Sequence, residues 1–389
     1  MDATAHATSR SDGWETWSRI RLAFVGLVLC LPIAVMLSPW LQAKLGSTAL
    51  ELPRWSWRVG DMKRFPSRFE LEFNRALPLR VDIAAPARVV YVDWLRVSPI
   101  PEVVLGTGGW LYYVGATGDR IIDRHVRGRD PFTHDELEQW RKFLLERTRR
   151  YRDLGAKYAF VIAPNKESIY PEHLPPWIGP RVGPTRLDQL MAHMKSEPEV
   201  TVIDLRTTLR DAKPASVVYY KSDTHWNTRG AYAAYQEILR VIAPGLPGLS
   251  AKTWESLEPK PIERGGLDLA RMLGLVPETP EADHVLDHGA CAPTDVVPIP
   301  VPEDLQSRLT GPTIATRCNA EGNVDAVIFQ DSFGTALSPI LARSFRSATS
   351  FRTTAGPNDK AGYGMPERLK ANLVVEILAE RSLGAGPAI

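Results

Sequence analysis

Two short segments of this 389-residue chain carry the residue types of a serine relay. The first, Val327-Ile328-Phe329-Gln330-Asp331-Ser332-Phe333-Gly334, is an apolar run that ends in a polar turn. A strand stopping there sets Ser332 at the carboxyl edge of a sheet, where open α/β proteins build their sites. The apolar stretch that follows can form a helix, and free N–H groups at a helix start favour developing negative charge, which suits a nucleophile. An isolated Asp-Ser pair after a strand more often only caps the helix. The second segment, Ser222-Asp223-Thr224-His225-Trp226-Asn227, changes that reading. A serine hydroxyl needs a base, and the base needs a group that fixes its tautomer. Asp223 and His225 lie two positions apart, so in an extended loop both point the same way and the carboxylate can hold the ring nitrogen facing it.

The elements that must position these residues are legible from period and punctuation. Thr133 and Glu136 have capping-box spacing, and Leu137, Trp140, Leu144, Tyr151 and Leu154 line one side of the helix that follows, which stops at Gly155. Residues 158–163 form a near-continuous apolar run, as in a strand covered on both faces, and 200–205 and 324–329 repeat it. Residues 231–242 read as a helix with Tyr235, Ile238, Leu239 and Ile242 aligned, and 374–383 as a last helix. Alternating helices and short buried strands predict a mostly parallel sheet with helices on both faces. The cluster Gly106 to Tyr113 has the turn-then-strand character of a domain start, so the main domain is expected over 106–389, with an irregular, partly helical insertion at about 244–312 where Pro, Gly and Asp are dense.

Composition bounds the class. With 44% hydrophobic and 24% charged residues the chain is globular, and a net charge of +2 without a basic run interleaved with aromatics excludes a nucleic-acid binder. Residues 22–37 carry no charge and the apolar stretch reads on to 41. A spanning helix needs about 20 such residues, so 22–41 is read as a membrane anchor, with 1–21 a tail and 42–105 a lead-in that packs on the main domain. A cleaved secretory signal and a buried core helix are the competing readings, and no A-x-A site follows the run. Arg10, Arg19 and Arg21 before the span balance Lys44, Arg54 and Arg58 after it, so charge does not orient it. Cys30 lies in the span, which leaves Cys291 and Cys318 as a possible disulfide or two buried thiols. His284, His288 and Cys291 have i, i+4, i+7 spacing that would gather zinc ligands on one helix face, but Gly289 and Pro293 disfavour that helix, and no metal is expected.

Taken together, Gly109-Trp110-Leu111-Tyr112-Tyr113, Ala163-Pro164-Asn165-Lys166 with Ile169-Tyr170-Pro171-Glu172 and Leu174-Pro175, Asp223-Thr224-His225-Trp226-Asn227 with Gly230-Ala231, and Asp331-Ser332-Phe333 resemble the AlgX/AlgJ family of alginate O-acetyltransferases over residues 69–351. The resemblance implies an SGNH-hydrolase-like three-layer α/β sandwich, with Asp223, His225 and Ser332 as a catalytic triad and no cofactor. Gln330 stands where the family often has glycine before its Asp-Ser. The resemblance also implies a periplasmic domain anchored in the bacterial inner membrane, a polysaccharide acceptor, and a multipass acyltransferase of the MBOAT type as acetyl supplier. Lys166 and Tyr170, just past a strand end, and Trp226, beside the histidine, are candidate glycan contacts. An acetylesterase and a non-catalytic glycan-binding subunit are the alternative functions.

Overall fold

The strands that carry the site are apolar on both faces, and the packing shows why. In the computed structural model, residues 89–389 are described apart from 116–118, 266, 276–279, 287–299, 312, 318–322, 354–363, 385–386 and 388–389. The expected anchor at 22–41, most of the lead-in, and Cys291 and Cys318 lie outside the described residues. Among those described, no helix is long and apolar enough to cross a membrane.

The unit Tyr91–Ile389 opens with an antiparallel pair, β1 (Val103–Leu105) and β2 (Leu111–Tyr113). Helix α1 (His134–Asp153) starts on the expected capping box, with the Thr133 hydroxyl accepting the Glu136 N–H at 3.2 Å and the Glu136 carboxylate accepting the Thr133 N–H at 2.8 Å. It ends before Gly155, whose φ of +76° only glycine adopts readily. Strand β3 (Lys157–Ala163) follows, then α2 (Lys166–Ile169), α3 (Arg186–His193), β4 (Val202–Asp204), α4 (Arg206–Ala212) and α5 (Thr228–Ile242). Beyond α5 come β5 (Pro259–Arg264), α6 (Asp268–Met272), β6 (Glu281–Leu286), β7 (Ile314–Arg317), β8 (Asp325–Gln330), α7 (Gly334–Ala342), β9 (Ser347–Arg352) and β10 (Leu373–Ala379).

Six strands form one sheet in the order β4-β3-β10-β8-β9-β7, parallel throughout except for the antiparallel edge strand β7. Alternate residues face opposite ways along a strand, and both sets are buried here. Ala159, Val161, Ile328 and Val375 face α5 and α7, where Tyr235, Ile238, Leu239 and Leu341 pack on them. Tyr158, Phe160, Ile162 and Val327 face α1 and α3, against Trp140, Leu144, Leu187 and Leu190. This is the expected three-layer sandwich, and the four parallel pairings make its sheet mostly parallel.

Two expectations are corrected. Residues 374–383 are not one helix: 373–379 form β10, a central strand between β3 and β8, and only the short 3₁₀ segment Glu380–Gly384 that follows is helical. Its one charged residue, Glu376, breaks the apolar run expected of a central strand, because a carboxylate in a fully buried strand needs distant partners to be tolerated. Arg147 of α1 pairs with it at 3.1 Å and the Tyr158 hydroxyl donates to it at 2.7 Å. The insertion is also more regular than its composition suggested, since β5 and β6 pair antiparallel over six positions across a long connection. His284 lies on β6, so the helical zinc face fails, and His288 and Cys291 are outside the described residues.

Candidate active site

Strand β8 delivers Ser332 to the carboxyl edge of the sheet, one residue after Asp331. The turn is held by that aspartate. Its backbone N–H donates to Ile377 at 3.2 Å, one carboxylate oxygen accepts the Phe333 N–H at 2.9 Å, and the other accepts the Ala379 N–H of β10 at 2.6 Å. Gln330 folds back under α7, where its side-chain oxygen accepts the Ser338 hydroxyl. Gly334 makes the space for it, since a Cβ there would come within 2.7 Å of Gln330 Cδ.

The Asp223–His225 loop approaches from the other side. His225 Nε2 lies 2.8 Å from Ser332 Oγ, and His225 Nδ1 lies 2.7 Å from Asp223 Oδ1. The loop is bent rather than extended: Asp223 Oδ1 also accepts the His225 backbone N–H at 2.9 Å, an Asx turn that brings the ring onto its own carboxylate. With Nδ1–H given to an acceptor-only carboxylate, Nε2 presents its lone pair to the Ser332 hydroxyl. Burial alone would raise the Asp223 pKa. The hydrogen bond and charge of His225, with the Asp268 and His225 N–H groups, outweigh it and hold the carboxyl at about 2. Asp223 is therefore ionised at neutral pH, and Ser332 and His225 are only partly buried, so a substrate can reach them.

Lys166, Tyr170 and Trp226 need correcting as glycan contacts: they are 2%, 5% and 1% exposed and face inward. The Lys166 ammonium donates to the carbonyls of Tyr220, Lys221 and Asp223 at 3.1, 2.9 and 2.6 Å, so it holds the loop from below. Burial drags its pKa down to about 8, against the pull of Glu167, Asp223, Glu281 and Asp268. Tyr170 stacks on Trp110, and its hydroxyl accepts the Val218 N–H at 3.0 Å. Trp226 packs edge-on against Phe333 at 5.1 Å between ring centres. The Gly-Trp-Leu-Tyr-Tyr, Pro-Asn-Lys and Ile-Tyr-Pro segments are thus support for the loop. Gly230 belongs to the same scaffold, because a Cβ there would come within 3.1 Å of the Val218 carbonyl carbon.

The insertion supplies what the residue pattern did not reveal. Asp268, Glu281 and Asp283 each accept hydrogen bonds from the 220–228 loop, across 44 to 63 positions of sequence. Beside them a cleft of about 450 Å³ opens, lined by His225, Ser332, Arg264, His284, Pro339 and Arg352 among others. That volume is in the range of small-ligand sites. Asp223, His225 and Asp268 also form the one group with metal-ligand spacing among the described residues. The Asp223 oxygen and Nδ1 lie 2.7 Å apart, the distance of a direct hydrogen bond that uses the Nδ1 proton.

A hydrogen-bonded Asp-His-Ser relay at the carboxyl edge of a mostly parallel sheet defines an SGNH-hydrolase-like α/β domain. The family described as "SGNH hydrolase-like domain, acetyltransferase AlgX" matches residues 103–295, and this stretch is AlgX/AlgJ-like. A "Probable alginate O-acetylase AlgJ" of Pseudomonas syringae pathovar tomato is 29% identical over 155 residues, 38% of this chain and 35% of that protein, so the match spans about a third of the relative's length. Bacillus cereus PatB1, solved with a sulfonyl adduct, superposes with a TM-score of 0.51 at 18% identity, covering 74% of this chain and 98% of PatB1, which shows a shared fold. The O-acetyltransferase domain of Pseudomonas putida AlgJ gives a TM-score of 0.43 at 18% identity, over 72% of this chain and 92% of that domain.

Proposed function

We propose that the chain is an O-acetyltransferase that moves acetyl groups through Ser332 onto hydroxyls of an alginate-like bacterial exopolysaccharide. The observation that carries this reading is the unbroken Asp223–His225–Ser332 hydrogen-bond chain, with its Asp and His inside the AlgX-matched stretch. The match ends at residue 295, so the nucleophile's role rests on geometry. In the first half-reaction His225 Nε2 takes the Ser332 proton as Oγ adds to the acetyl carbonyl, then returns it to the leaving group. In the second, a glycan hydroxyl gives its proton to His225 and attacks the acyl-serine, and His225 passes that proton to Ser332 Oγ as the acyl bond breaks. Arg352 lines the cleft with no ion-pair partner among the described residues, which suits an acidic acceptor. An anchor at 22–41, a periplasmic domain, and an MBOAT-type membrane acyltransferase as acetyl supplier complete the proposal. The alternative is an acetylesterase, since the same relay serves water as acceptor.

The test incubates the chain with an activated acetyl ester and candidate glycans and follows products by mass spectrometry. Acetylated glycan is expected from the wild type, with a loss of roughly 10⁴-fold in Ser332→Ala. Free acetate alone would make the chain an esterase, and serine-independent turnover would sink both readings.

A further inference from the structure

The insertion brings a second carboxylate to the histidine. Asp268, at the start of α6, divides its groups: Oδ1 accepts the Thr224 N–H at 2.7 Å, its backbone N–H donates to Asp223 Oδ2 at 2.8 Å, and Oδ2 lies 3.7 Å from His225 Nδ1. An acid that only capped the loop would need one oxygen. Here the other faces the ring edge that Asp223 Oδ1 already occupies at 2.7 Å, so two negative charges meet one Nδ1–H. We propose that Asp268 is a positioning residue of the active site, aligning the Asp223–His225 pair and lending a second negative charge to the imidazolium that forms when His225 takes the Ser332 proton. The assignment rests on the reading of Ser332 as nucleophile.

The surrounding groups are compatible with that role. Lys166 faces Asp223, Asp268 and Glu281 from beneath with its ammonium bound to three carbonyls. Arg381 lies over the ring of Phe333 at 5.1 Å, the ring that touches His225, and Tyr220, Arg264 and Arg352 line the cleft. Arg264 is paired with Asp283 at 3.2 Å, so it does not neutralise Asp268 directly.

Asp268→Asn keeps the shape and the acceptor for Thr224 while removing the charge, which separates the two roles. The readout is the pH dependence of Ser332 labelling by phenylmethanesulfonyl fluoride, followed as adduct mass. In that reaction Oγ bonds to sulfur, fluoride leaves, and His225 takes the proton. The plateau rate is expected to fall about tenfold, and the acid limb of the labelling rate to move to lower pH, because one negative neighbour of the ring is gone. Asp268→Glu, which retains the charge, should stay within about threefold of wild type. An Asn variant with the wild-type profile, or one that slows without moving the acid limb, would overturn the charge role. Should the Asn variant fail to melt as a folded protein, Asp268→Ser, which keeps an acceptor for the Thr224 N–H without the charge, takes its place, and an unmoved acid limb there overturns the proposal as it would for Asn. Labelling needs no acetyl donor or glycan. A wild type that labels yet transfers no acetyl group would therefore defeat the acetyltransferase reading and leave Asp268 in place.

Discussion

The two halves of the relay are held in opposite ways. Ser332 sits in a turn organised by its own neighbour, Asp331, whose carboxylate spans from the Phe333 N–H to β10, and Gln330 braces the helix that follows. The Asp223–His225 loop has almost no regular structure of its own and is gripped from outside, by Lys166 below and by Asp268, Glu281 and Asp283 of the insertion. A strand end can set a nucleophile by local geometry. A loop needs charged partners brought from elsewhere, because its backbone groups have no ladder to satisfy them.

The sharpest way to break this comparison is Lys166→Met, which leaves the carbonyls of Tyr220, Lys221 and Asp223 without their shared donor. Ser332 labelling should slow by about 100-fold in a protein that still folds, since a misplacement of about 1 Å costs that much. A Met variant that labels normally would show that the insertion alone holds the loop. A smaller effect is expected at the other half. Gly334→Ala drives a methyl into Gln330 and should cost about 1–3 kcal/mol in a denaturant melt, with labelling slowed about tenfold. An unperturbed variant would mean that Asp331 suffices.

The third prediction concerns acid. The Asp223 carboxyl is held at about 2, below its unfolded value near 3.9, so the folded state binds fewer protons in that window. The resulting stability, about 2 kcal/mol, is fully present above pH 5 and is lost as pH falls from about 4 towards 2. Asp223→Asn should remove that part of the acid-side slope in a thermal melt series, leaving the rest unchanged; an identical slope in both proteins would place the acid sensitivity in other carboxylates.

Much of this was legible beforehand, and the misses share a cause. Helix α1 announced itself through Thr133, Glu136 and Gly155, because caps and stops are local chemistry. Strands β3 and β8 were visible because burial on both faces leaves an uninterrupted apolar run. Strand β10 carries Glu376 in its middle, whose presence is explained only by Arg147 and Tyr158, more than 200 positions away, so its run is not uninterrupted. Lys166 looked like a surface contact for the same reason, since its three carbonyl partners lie 54 to 57 positions further on.

The sequence by itself determined the α/β class, the cap and stop of helix α1, and the Asp, His and Ser in two polar turns, since each of these follows from residue types within a few positions; that His225 and Ser332 meet, across 107 positions, is tertiary. Only the tertiary structure decided what stands behind them: the buried lysine under the loop, the second carboxylate beside the histidine, and the inward turn of Tyr170 and Trp226. Those depend on charges and rings paired across long stretches of chain, and no local pattern records which distant group a buried polar atom will find.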